Sequence, residues 1–200
     1  MSLQVSVIFS VFLSLAVFGS INHKLNKERL VRYSVIWLTF VGASLNITAS
    51  LLHELAHALT AELFGLKVTW GGSLGGQYII TTPMIYDTTP LVQMTVALSG
   101  PLLSLLIVAI LWQILNHTGN AAATVVLTYL LFVQGLGSFG SLLMIFSGDA
   151  RNFAQGVSKF FAIPIEHVGY VLVVVSFLWI LAVTKRCMKS VDILKTGNLT

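Results

Sequence analysis

The sequence predicts an all-α, polytopic transmembrane bundle of about five spans, with a short glycine-rich β-hairpin or re-entrant loop between spans two and three. Three observations carry this. Of the 200 residues, 56% are apolar and 9% charged, far from the composition of a water-soluble domain. The apolar residues fall in blocks of about 20, the length that crosses a hydrocarbon layer of about 30 Å. Between the second and third blocks the chain changes character: Gly71, Gly72, Gly75 and Gly76 precede an alternating β-branched run, which reads as a turn beside a strand.

In chain order the spans are expected over roughly 3–20, 35–63, 94–115, 122–146 and 167–184. The first resembles a signal peptide in length, yet no small-residue cleavage site leads into a hydrophilic chain, so it is read as a span. The second is too long for one perpendicular crossing and must tilt or run out toward the interface. With no internal repeat and no room for an added soluble domain, residues 1–200 are expected to form one integral membrane domain, with its functional core over about 35–155.

Charge sets orientation and excludes partners. Lys24, Lys27, Arg29, Arg32, Lys185, Arg186, Lys189 and Lys195 fall on one side of a five-span chain, and Lys67, Arg151 and Lys159 on the other. The positive-inside rule then puts the N-terminus and the far end of span two outside, in a cell membrane. The net charge of +4 is modest and forms no stripe interleaved with aromatics, so nucleic acid is not an expected partner. The single cysteine, Cys187, has no second thiol for a disulfide or a thiolate zinc site and is expected at the membrane edge. Any metal must use histidine and carboxylate.

Span two carries HELAH, residues 53–57. At about 100° per residue, His53 and His57 lie within about 40° of each other, one turn apart, and can grip one ion. Glu54 is near enough to that face to reach a water there without being a ligand, the position of a general base. Histidine and glutamate cost several kcal/mol in a membrane unless paired or used, which argues against chance. A zinc held by imidazoles and a carboxylate would acidify its water and polarise a scissile carbonyl. The residues alone thus predict one zinc ion per chain and a hydrolytic centre.

A third ligand is needed. Glu28 and Asp192 fall on the opposite side, and Glu62 lies about 140° round the helix from His57. Asp87, in the loop, stays open. Asp149 is favoured because spans two and four run in the same direction and reach the same depth, with Glu166 next. Asn46 and Ser50 precede His53 by seven and three residues, as partners for imidazole N–H groups or as interhelical hydrogen bonds. Asn152 and Gln134 are read the same two ways, as substrate donors or packing polars. His23, His117 and His167 are expected at the interface.

Together HELAHALTAELFGLKV, the glycine loop, LSGPLLSLL and FSGDARNF resemble the site-2 protease family of intramembrane zinc proteases, over about residues 45–155. The resemblance implies His53, His57 and Asp149 as zinc ligands, Glu54 as catalytic base and a three-helix core around them. That family often has glycine after its aspartate, with asparagine and proline before it; here Ala150 follows Asp149. It further implies that Tyr78, Ile79, Ile80, Thr81 and Thr82 form a strand edge binding an unwound transmembrane segment, since a helix hides its carbonyls until it opens. The Gly100–Pro101 pair is similar to the family's small-residue stretch at a close helix approach, although Pro101 also suits a helix start. The expected partners are a transmembrane protein or peptide substrate and the lipid bilayer. The alternative function is a catalytically inactive relative that binds membrane partners or metal.

Overall fold

The computed structural model describes residues 35–73, 76–138 and 148–196, together with Phe12. The span expected over 3–20 and His23 lie outside the described residues, apart from Phe12. Five helices and one hairpin follow in order: α1 (Val35–Leu63), β1 (Lys67–Ser73), β2 (Gly76–Thr82), a 3₁₀ turn at Ile85–Asp87, α2 (Pro90–His117), α3 (Ala121–Ser138), α4 (Gly148–Phe161) and α5 (Ile165–Thr196). Three of these helices, α1, α2 and α5, are long and apolar enough to cross a membrane. Of the described residues, α3 is a shorter apolar helix and α4 is polar on one face. The expected mostly helical, membrane-type architecture with one short hairpin is therefore present.

Helix α2 is the hub, touching α1, α3 and α4, while α5 closes the bundle against α3 and α4. It starts with Pro90, whose missing N–H costs nothing at a first helical position. Pro101 lies well inside α2 and is buried, not near a helix start. There it leaves the Ala97 carbonyl without its usual helical donor. Helix α3 begins where Asn120 caps it, its Oδ1 accepting the Ala123 N–H at 3.1 Å. Gly135 of α3 lets α5 approach closely: a Cβ there would strike Val183, and Trp179 donates its indole N–H to the Gly135 carbonyl at 2.8 Å.

The end of α1 fixes the hairpin. Gly65 has φ +74, its N–H bonds the Glu62 carbonyl at 2.8 Å, and Leu66 N–H reaches back to Ala61 O at 3.1 Å. This is the paired hydrogen-bond pattern of a Schellman cap, and only glycine holds that φ without strain. Leu66 then packs with Ala61 and Val96, against Val68, Ile79, Ile85 and Val92. Strands β1 and β2 pair antiparallel, from Lys67 opposite Thr82 to Ser73 opposite Gly76. Gly71 sits under the Tyr78 ring, which fills the space a side chain would take.

Helix α5 shows why the bundle suits lipid. Tyr170, Val174, Phe177, Leu178 and Leu181 are exposed at spacings of four, three, one and three, so they line one outward stripe. Opposite it, Val168 and Leu172 pack on Ala150 and Ala154 of α4, while Val183 and Cys187 pack with Val108, Leu115 and Leu131. Cys187 is buried, its thiol directed at the Thr128 carbonyl. The helix also runs 12 residues beyond the apolar block that ends at 184, because Lys185–Thr196 continues as a polar helical tail.

Candidate metal centre

His53 and His57 point from α1 toward α2, and Asp149 enters from the first turn of α4. Gly148 precedes it with φ +67, a left-handed residue that starts α4 with Asp149 facing the histidines. His53 Nε2 and His57 Nε2 are 3.2 Å apart, and Asp149 Oδ2 lies 3.3 and 3.1 Å from them respectively. The three atoms form a near-equilateral triangle. No other group of three His, Cys, Asp or Glu side chains converges in this way among the described residues.

The opposite nitrogens set how the two rings are turned. His57 Nδ1 lies 2.6 Å from the Val96 carbonyl, which can only accept, so Nδ1 carries the proton and the neutral ring turns a lone pair on Nε2 toward the centre. His53 Nδ1 meets Ser104 Oγ at 2.8 Å, and Ser99 Oγ, bonded to Val96 O at 2.8 Å, lies 3.3 Å from His57 Nδ1. Three electron-rich atoms about 3.2 Å apart repel unless a cation lies among them. A proton can bridge one pair, whereas a metal ion satisfies all three. Ligands about 2.0 Å from a tetrahedral ion stand about 3.3 Å from one another, so the observed edges fit such a donor set. Burial pushes the Asp149 carboxyl up, but the two imidazoles beside it hold it well below the usual carboxylate range.

Gly100 makes the room. A Cβ at this position of α2 would collide with Nε2 of both histidines. The Gly100–Pro101 pair thus brings two helix backbones together at the point where the imidazole nitrogens converge.

Glu54 is half-buried and lines a cavity of about 300 Å³ together with His57, Asp149, Asn152, Val96, Ala97 and residues of β2. The Ile79 main-chain N–H reaches the Glu54 carboxylate. In an antiparallel pair, one residue's N–H and C=O point to the same side, so an Ile79 N–H turned to Glu54 belongs to the outer edge of β2. No third strand pairs with that edge among the described residues. Of the five residues expected at the strand edge, Tyr78, Ile79 and Thr81 line the cavity, whereas Ile80 and Thr82 do not and are exposed.

The remaining candidates separate. Glu166 is exposed at the start of α5, Asp87 in the 3₁₀ turn and Glu62 at the end of α1, all outside the cluster. Asn46 Oδ1 accepts from Gln134 Nε2 at 2.8 Å, an interhelical hydrogen bond, and Ser50 Oγ bonds back to the Asn46 carbonyl. Gln134 is thereby a packing polar, while Asn152 faces the cavity. His117 ends α2, and His167 is exposed at the start of α5. The residues that do hold the imidazoles, Ser99, Ser104 and the Val96 carbonyl, were not singled out. Their signal was present as small polar residues flanking glycine in the apolar LSGPLLS run.

Comparison of the chain with protein-family models, curated proteins and solved structures returned no match.

Proposed function

We propose that this protein is a multi-pass intramembrane zinc metallopeptidase that hydrolyses a peptide bond of a membrane-protein segment. The observation that carries this reading is the convergence of three metal-donor atoms beside a cavity that a separate carboxylate, Glu54, lines with His57 and Asp149, next to a strand edge unpaired among the described residues. A pure metal carrier has no need of that second acidic group. The donor set of two imidazoles and one carboxylate is the kind zinc takes in hydrolytic sites.

In this reading His53 Nε2, His57 Nε2 and Asp149 Oδ2 hold the ion. Zinc there would polarise the scissile carbonyl and acidify the attacking water. Glu54 accepts the proton from that water and delivers it to the leaving amine nitrogen. Ser104, Ser99 and the Val96 carbonyl fix the two rings so that Nε2 of each faces the ion. The substrate segment unwinds and lies along the outer edge of β2, where strand hydrogen bonds replace those lost from its helix. Ile79 N–H is then shared between Glu54 and the entering backbone, so substrate pairing releases the base toward the water.

The test is Glu54→Gln, which removes the base and keeps the ligands. The purified variant should hold as much zinc as the wild type and lose cleavage of a transmembrane test substrate by at least about 100-fold, the lower range for a positioned base. Unchanged cleavage with full zinc would rule out the assigned role.

A further inference from the structure

A second, larger cavity of about 820 Å³ borders the first and shares Gly148 and Asn152 with it. Its other lining residues are Tyr86, Arg151, Gln155, Ser158, Lys159 and Ile165. Two are cations and none is an acid. Asp87 and Glu166 neighbour Tyr86 and Ile165 in sequence, but neither lines the cavity.

The sequence of α4 builds this wall. Residues 148, 151, 152, 155, 158 and 159 fall within about 120° of arc at 100° per residue, while Ala150, Phe153, Ala154 and Val157 occupy the face that packs on α5. Gly156 presses α4 onto α2, since a Cβ there would strike Met94 and the Pro90 carbonyl. The polar stripe is therefore held beside the candidate metal centre by packing on two sides. Lys159 Nζ bonds the Tyr86 carbonyl at 3.1 Å and Gln93 Oε1 at 3.4 Å, both neutral acceptors that orient the ammonium without cancelling its charge.

We infer that this cavity binds acidic side chains of the substrate on one flank of the scissile bond. The inference rests on the peptidase reading above and specifies its substrate class. Lys159 lies ten residues beyond Asp149, about 15 Å along α4. An extended chain at about 3.3 Å per residue covers that distance in four to five residues. A carboxylate four or five residues from the cleaved bond would meet Lys159. Continuity with the cavity that holds Glu54 favours a peptide over a lipid headgroup, because a peptide passing the metal centre must leave along one of its walls.

The test uses full-length protein in detergent and a set of fluorescent transmembrane peptides carrying Glu, Gln or Lys at the fourth and fifth positions from the cleaved bond, on each flank in turn. Binding is measured with the Glu54→Gln protein, which needs no turnover, and kcat/KM with the wild type. The Glu peptide of one flank should bind at least about fivefold tighter than its Gln counterpart, with Lys weakest. Lys159→Glu should invert that order, and Lys159→Gln should flatten it, which a general folding defect would not do. Equal binding of all three peptides on both flanks overturns the inference. So does an order that Lys159→Glu leaves unchanged, or a Lys159-dependent affinity for anionic over zwitterionic lipid vesicles with no peptide-charge effect. Charge-ordered binding without cleavage of any peptide by the wild type would instead overturn the peptidase reading and leave the anion site standing.

Discussion

Two regions of the bundle bury polar groups, and they do so to opposite ends. Near the C-terminus of α2, Arg186 is buried in α5, donating from Nη1 to Ser190 Oγ at 2.6 Å and from Nη2 to Asn116 Oδ1 at 2.8 Å, with the Trp112 ring 5.8 Å away. Its donors end on acceptors, and its charge sits where the α2 helix dipole is negative. Near the N-terminus of α2, the imidazoles spend only their outer nitrogens on Ser104 and Val96 and turn the inner ones on each other and on Asp149. Closed polar networks tie helices together. A network left open toward one point leaves its donors free for a ligand there.

Each end can be broken separately. The largest effect is expected from Gly100→Ala, whose Cβ meets both Nε2 atoms. It should remove bound zinc almost entirely while the helical circular dichroism persists, as read by metal analysis after gel filtration. Next comes Ser104→Ala, which frees the His53 ring to rotate. The zinc dissociation constant, measured by competition with a chelator, should rise about 10–100-fold. Smallest for function is Arg186→Met, which keeps the apolar stem and loses the hydrogen bonds. It should lower unfolding free energy in detergent by about 1–3 kcal/mol through the charge-assisted hydrogen bonds lost to Asn116 and Ser190, with zinc affinity unchanged. A zinc effect at Arg186 as large as that at Ser104 would erase the distinction between the two ends.

Much of the site was legible because it is written locally. HELAH puts two imidazoles and a carboxylate on one helix turn, and the scarcity of acids in the chain left few candidates for a third ligand, of which the structure brings Asp149 to the histidines. The glycine run and β-branched alternation likewise marked the hairpin between Lys67 and Thr82. Helix α4 was not legible as an element. Its apolar residues before the closing Phe160–Phe161 pair are Ala150, Phe153, Ala154 and Val157, a narrow stripe in a polar segment, and hydropathy alone registers such a segment as a loop between spans. The supports from α2 were hidden for a different reason. Ser99, Gly100 and Ser104 are ordinary small residues in a membrane-length helix, and their meaning comes only from the close crossing of α1 that the tertiary fold supplies.

The central claim is that two imidazoles and one carboxylate from two helices, His53 and Asp149 lying 96 residues apart in sequence, hold a single zinc ion. X-ray absorption at the zinc edge, on the purified wild type and on Asp149→Ala, tests it most directly. The account predicts about one zinc per chain in the wild type, with nitrogen and oxygen ligands at about 2.0–2.1 Å, two of them imidazole, and no sulfur at about 2.3 Å. It predicts loss of most of that zinc in Asp149→Ala. A metal-free wild type, or a spectrum and stoichiometry unaltered by removing Asp149, would contradict it.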